Sequence, residues 1–283
     1  MRKLIIFLCI MGLSLASFAD RYVSRPEDIK AFLKTTTYIV LEDNPMSEYN
    51  IKIKKAVERS WTITPYAFIT AKEFEEQRND INKSFLVKLQ VKFDSDKVPA
   101  AYHFMSIVMG AAVKKHTDLP DICSIPMSYS TVPEDSYAYK LESFIRFAQN
   151  HIKMLDQNPE LIKKGNIFKH YNKNVKNTKT KELWLLEKDV DKATRSMSDL
   201  RKNYPHPVKY VTEEDIEKAI AEKNENVVFL HKVGPEGTRL QARCYKVLIG
   251  AGDDQFYYFD YHTINKKVGD GILAKDLKKL AKK

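Results

Sequence analysis

The stretch Phe256-Tyr257-Tyr258-Phe259-Asp260-Tyr261-His262 is the densest run of chemically versatile side chains in this sequence. A period of two puts Phe256, Tyr258, Asp260 and His262 on one face of a strand, and Tyr257, Phe259 and Tyr261 on the other. Tyrosine rings stack on sugars and populate partner surfaces, so Tyr258, Tyr261 and His262 form the candidate ligand or partner surface. The competing reading is a strand packed on both faces, because aromatic residues favour strands in any case. Deep burial of both Tyr258 and Tyr261 would remove the ligand reading.

Other chemistry is sparse. The histidines are His103, His116, His151, His170, His206, His231 and His262, and none stands at HxH or HExxH spacing, so no preformed metal motif is expected. The carboxylate pairs Glu75-Glu76 and Asp253-Asp254 fall on a charged helix and in a turn. General acid-base work needs such groups held in a pocket. Nine glycines leave little material for a phosphate cradle, and neither a Gly-x-Ser-x-Gly nor a P-loop pattern occurs. Catalytic, cofactor and metal residues are therefore assigned to none. Cys123 and Cys244 read as buried free thiols, without a CxxC or a Cys/His cluster.

The N-terminus places the protein. Arg2 and Lys3, the apolar run Leu4 to Leu15, and Ser17-Phe18-Ala19 form a secretory signal with cleavage expected near Ala19. Removal leaves 264 residues (283 − 19) and lowers the net charge from +10 to +8, because two basic residues go with it. The mature chain is expected to be soluble, without a transmembrane span, in the periplasm or outside the cell. Lysines concentrate at Lys163, Lys164, Lys169, Lys173, Lys176, Lys179 and Lys181. They read as a solvated link, or as a weak contact for anionic envelope surfaces. No nucleic-acid partner is expected.

The elements that must carry these residues occur twice. Pro65 to Phe74 and Pro207 to Ile216 each give an apolar run, a threonine and an acidic helix start, at a constant offset of 142 (207 − 65). Thr70 with Glu73, and Thr212 with Asp215, fit a capping box. Around each block the pattern predicts β-α-β-α-β-β, a further strand, then a helix. In the first unit the strands are expected near 38–41, 66–69, 84–93, 102–113 and 122–129, and in the second near 183–186, 208–211, 226–233, 243–250 and 255–262. Long helices are expected over 47–61 and 140–155, and a shorter one over 190–201. Gly110 pairs with Gly250, each ending an apolar strand. Gly234-Pro235-Glu236-Gly237 predicts a hairpin turn. The organisation is a signal (1–19), a lead-in (20–33), a first α/β unit (34–156), a Lys/Asn-rich link (157–177) and a second α/β unit (178–283).

The fold class is α/β, with mixed sheets covered by helices in a tandem duplication. The element order resembles the thioredoxin-like fold, and also the α/β domain at the start of TolB-like and CsgG-like envelope proteins; only topology is implied, since no CxxC follows the first strand. Tyr38 to Glu42, Thr64-Pro65-Tyr66 with Phe68-Ile69, Val228 to Gly237 and Phe256 to His262 together resemble a family of uncharacterised exported two-repeat proteins of Bacteroidota. That resemblance implies an envelope address and no established activity. The functional expectation is a non-enzymatic envelope binding or scaffold protein, with an unknown envelope protein or glycan as partner and no cofactor. Two alternatives remain. One is an enzyme or redox-related protein on a thioredoxin-like scaffold, favoured by His103 or His231 set against a buried carboxylate. The other is a binder of anionic surfaces through the basic link.

Overall fold

The computed structural model describes residues 24–163, 167–237 and 241–282; the signal expected over 1–19 lies outside them. Chain order is α1 (Pro26–Phe32), β1 (Thr37–Leu41), α2 (Glu48–Ser60), β2 (Tyr66–Thr70), α3 (Ala71–Gln77), β3 (Ser84–Lys92), β4 (Ala101–Met109), β5 (Asp121–Tyr129), α4 (Asp135–Ala138) and α5 (Leu141–Gln157). There follow α6 (Glu160–Lys163), α7 (Ile167–Tyr171), β6 (Glu182–Leu185), α8 (Met197–Asn203), β7 (Val208–Tyr210), α9 (Glu213–Ala221), β8 (Val227–Val233), β9 (Arg243–Gly250), β10 (Phe256–Thr263) and α10 (Ala274–Lys282).

The strands make two five-stranded mixed sheets, ordered β2-β1-β3-β4-β5 and β7-β6-β8-β9-β10. In the first, β1 runs parallel to β2 and β3, and β4 is antiparallel to β3 and β5. The second repeats those directions strand for strand. The local causes repeat as well. Thr70 accepts the Glu73 amide and Glu73 reaches back, and Thr212 and Asp215 do the same. Each box satisfies two helix-start donors and stops the strand before it.

Register equates the two sheets residue by residue. Thr37 faces Tyr66 and Ser84, and Leu183 faces Val208 and Val228. Ser84 then faces Met109, and Val228 faces Gly250. Gly250 thus corresponds to Met109, and Gly110 to Ala251, one residue away from the pairing expected from sequence. The bonds agree: the Gly110 amide donates to Lys83 O and the Ala251 amide to Val227 O. A β-bulge interrupts both fifth strands at the same step. It skips Ile122 between the partners of Ile107 and Val108, and Tyr257 between the partners of Leu248 and Ile249.

The principal core spans both sheets. Ile39, Leu86, Ile107 and Ile125 of the first sheet share one apolar cluster with Phe229, Val247, Ile249 and Phe256 of the second. Helix α5 lies between them and is buried almost all round, as a helix inside a core must be. Phe147 stacks on Phe256 at 3.5 Å, and Phe144 packs on His231 at 4.7 Å. The buried polar residues of α5 find partners. Gln149 binds Thr62 N, Ile63 N and Ser60 O, and His151 binds the Tyr171 hydroxyl.

Three elements differ from expectation. β4 ends at Met109, because the chain turns where Gly110 and Ala111 donate to Lys83 O and Arg78 O. Residues 190–196 are not α-helical: Val190 bridges Ile272, Asp191 caps the 3-10 turn Lys192–Thr194, and Ser196 caps α8. Within the Lys/Asn-rich stretch, Asn172 to Thr180 is a 3-10 segment packed on the edge strand β10. The Asn172 amide group bonds both the Phe259 N–H and its C=O, and Asn174 donates to Phe256 O. That cover protects an otherwise open sheet edge, while Lys173 and Lys176 face solvent.

Candidate functional site

The three residues singled out in the aromatic strand do not converge. The Tyr257 bulge turns Phe256 into the inter-unit core, while Tyr258 packs toward α10 with Leu277 and Leu280. Tyr258 is 1% exposed, and its hydroxyl donates to Asp260 at 2.9 Å. His262 is buried and bonds Gly269 O at 2.9 Å; a carbonyl only accepts, so the Nε2–H tautomer is required. Tyr261 is 49% exposed on the opposite face, against Tyr245. Cys123 and Cys244 are free and buried, and burial drives both thiols up. His231 gives its Nε2–H to Pro126 O, and His103 lies 3.4 Å from the Ser128 hydroxyl; neither ring bonds a carboxylate. No group of three or more His, Cys, Asp or Glu among the described residues is arranged to hold a metal ion.

What the fold does assemble lies at the carboxyl ends of the parallel strands. In each sheet the chain leaves the first strand to one side and returns to the third on the other. Such a switch point is where open α/β sheets place ligands. There Lys88 of β3 pairs with Glu42, just after β1, and with Glu134, from the loop after β5, at 3.0 Å. By register Lys232 of β8 is its counterpart. It pairs with Asp189, just after β6, at 3.6 Å, and with Asp270, from the loop after β10, at 3.1 Å. Both units therefore hold a strand lysine between two carboxylates drawn from equivalent loops.

The two triads differ electrostatically. In the first, burial and the neighbouring Glu134 raise the Glu42 carboxyl. Burial also works to raise Glu134, but the Glu42 proton, the Tyr49 amide and Lys88 together hold it below the usual range. Glu134 accepts the Tyr49 N–H at 3.1 Å and so serves the first turn of α2. The Tyr49 and Tyr137 hydroxyls nearby are buried without a hydrogen-bond partner. In the second triad, burial raises the Asp189 carboxyl. Burial opposes the Lys232 charge, but Asp189 and Asp270 outweigh it and raise the ammonium above its ordinary value. Asp270 also accepts the Glu236 N–H at 2.7 Å, which pins the Gly234–Gly237 turn.

Sequence reasoning singled out neither Lys88 nor Lys232. The available signal was a lysine four residues after Ser84 and four after Val228, each inside a largely apolar strand.

Two openings lie on the surface, of which the smaller adjoins the second triad. A cleft of about 310 Å³ runs between α2, the start of α5 and α9. Lys55 and Arg59 stand on the α2 wall, Glu214 and Glu217 on the α9 wall, with Ala56 and Ile220 between. Lys52 pairs with Glu217 at 2.5 Å, and Arg59 with Glu142 at 3.2 Å. On the other side of the Tyr139–Lys140 turn, a cavity of about 10 Å³ is lined by Ser128, Ser136, Lys140, Asp189, Lys232 and Gly234. That is room for about one water.

No protein-family model, curated protein or solved structure matches this chain. No helix among the described residues is long and apolar enough to cross a membrane. The residues themselves carry the functional reading.

Proposed function

We propose that this chain is an exported, non-enzymatic envelope binding or scaffold protein that seats a mixed-charge polypeptide segment in the cleft between its two units. The observation that carries this reading is the shared core around α5. One helix packed against both sheets fixes the α2 and α9 walls relative to each other, so the cleft is preorganised and loses little freedom on binding. Basic residues on one wall and acidic residues on the other suit a segment bearing both signs. Export rests on the Arg2 to Ala19 signal.

The units are read as two copies of one ancestral unit. Shared strand order, matching capping boxes, the bulge at one common step and the paired lysine triads support this. The TolB- and CsgG-like architecture is preferred to the thioredoxin-like one. Neither β1, followed by Glu42-Asp43-Asn44, nor β6, followed by Leu186-Glu187-Lys188, leads into the cysteines that thioredoxin chemistry needs.

The test is Ala221→Trp, which fills the cleft from its exposed rim. Capture from a native envelope extract should yield a partner with the unaltered protein and lose it with Ala221→Trp, at an unchanged Tm. Retention of the same partner by the plugged variant would remove the cleft from the reading. The basic-link alternative is favoured by the outward lysines at 173 and 176. It predicts binding to anionic vesicles that weakens with salt, independently of Ala221→Trp.

A further inference from the structure

Lys140 closes the loop from β5 and begins α5, yet its side chain belongs to the second unit. The residue is 2% exposed and lines the small cavity at the carboxyl ends of β6 and β8. Its Nζ makes no ion pair or hydrogen bond among the described residues, and it lies over the Tyr139 ring, 4.7 Å from the centroid. Every other buried lysine has a carboxylate: Lys232 has Asp189 and Asp270, and Lys246 has Asp276 at 2.7 Å. A buried ammonium with no counter-ion is costly, and losing its proton is the usual relief.

The surroundings act in that direction. Burial lowers the Lys140 ammonium to about 8, against the pull of Asp189 and Glu213 and with the push of Lys188 and Lys232. Glu236 at the cavity mouth, Tyr129 in its lining, Tyr139 against the ammonium and the buried, neutral His231 also face this seam. A lysine that is both desolvated and set beside another cation is the arrangement that makes an amine nucleophilic near neutral pH. The cavity opens to solvent at Glu236 and admits only a small reactant.

We propose that Lys140 is a reactive amine that forms an imine with a one-carbon aldehyde entering the inter-unit cavity. The amine lone pair attacks the carbonyl carbon; the C=O pair moves to oxygen, which takes one N–H proton to give a carbinolamine. The nitrogen lone pair then expels the hydroxyl group. The departing hydroxyl takes a proton from solvent at the open mouth of the cavity and leaves as water. The products are an iminium cation, which carries the charge of that proton, and a water molecule. The proposal is independent of the cleft and its partner.

The test is reductive trapping. The folded protein is treated with limiting formaldehyde and cyanoborohydride at pH 7.5, and the modified peptides are mapped by mass spectrometry. At that pH an amine near 8 has a roughly 200-fold larger neutral fraction than an ordinary lysine near 10.4. Lys140 should therefore label at least about tenfold faster than the exposed Lys72, with a rate midpoint near pH 8. Lys140→Arg keeps the charge; with a Tm within a few degrees it should lose the fast-labelling fraction and nothing else. Labelling that follows exposure, with Lys140 last, overturns the proposal, and so does a fast fraction that survives in Lys140→Arg.

Discussion

Arg146 of α5 grips Asp254 of the second unit through two hydrogen bonds, Nε to Oδ2 at 2.6 Å and Nη2 to Oδ1 at 2.9 Å. The same guanidinium donates to Ile220 O, Ala251 O and Glu142. Its Nε and Nη2 donors join the closing helix of one unit to α9 and the 251–254 turn of the other, and Nη1 is held by Glu142 within α5. Removing one partner of a buried, satisfied ion pair leaves the other charge stranded. Arg146→Met should cost about 3–5 kcal/mol, read as a fall in the urea midpoint. Asp254 has φ = 53°, which Asn tolerates, so Arg146→Met with Asp254→Asn should recover more than half of the loss. A single midpoint shift below about 1 kcal/mol would mean that the pair does not hold the units together.

Acid should loosen the same seam. Burial lowers His151 to about 4, and His231 is driven well below its ordinary value by burial and by Lys140. Both folded pKa values lie below the unfolded one, near 6.5. Between pH 6.5 and 4 the unfolded chain therefore binds more protons, and stability falls as pH falls. His151 alone should contribute a loss of roughly 3 kcal/mol across that window. Thermal melts at pH 7 and 4.5 should differ in this direction, and His151→Phe should flatten the difference. A protein equally stable at both values would contradict the buried-neutral state of these rings.

The alternating and capped elements were legible in sequence because each depends on its neighbours along the chain. The Thr70 and Thr212 boxes, the third strands and the amphipathic α2 all emerged close to their expected bounds. The aromatic strand was legible as a strand, but its faces were not. A bulge at Tyr257 breaks the period of two, and only the partner strand reveals it. The lysine triads were illegible because their carboxylates come from loops 46 residues from Lys88 (134 − 88) and 38 from Lys232 (270 − 232). The burial of α5 on both sides depends on the second unit, so its broad apolar stripe read as the closing helix of the first.

Lys88 and Lys232 hold equivalent places at unequal depth, with side-chain exposures of 14% and 3%. Depth sets what a lost charge costs. Lys232→Met strands Asp189 and Asp270 away from water and frees the Gly234–Gly237 turn from its anchor at Asp270. It should cost about 3–5 kcal/mol. Lys88→Met leaves Glu42 and Glu134 able to hydrate, so the cost should stay below about 2 kcal/mol. Paired chemical denaturation curves decide it. Equal losses would mean that the triads are equally dry and that their difference in exposure carries no energy.

The ends of the two fourth strands offer a sharper contrast, because the glycines there stand one register position apart. A Cβ on Gly110 would press into the backbone carbonyl of Asp80, with Arg78 O beside it. That backbone is held by the Ala111 amide on Arg78 O and the Lys83 amide on Asp80 O, so it cannot retreat without breaking the turn. A Cβ on Gly250 would instead meet the Asp253 carboxylate. That side chain can rotate, at the loss of its bonds from the Gln255 amide and the Tyr257 hydroxyl. Gly110→Ala should therefore cost about 2–3 kcal/mol and Gly250→Ala about 1 kcal/mol, within the range for forced overpacking. Thermal melts should rank them in that order. The reverse ranking would place the rigid obstacle in the second unit and would undo the register assigned to the two strand ends.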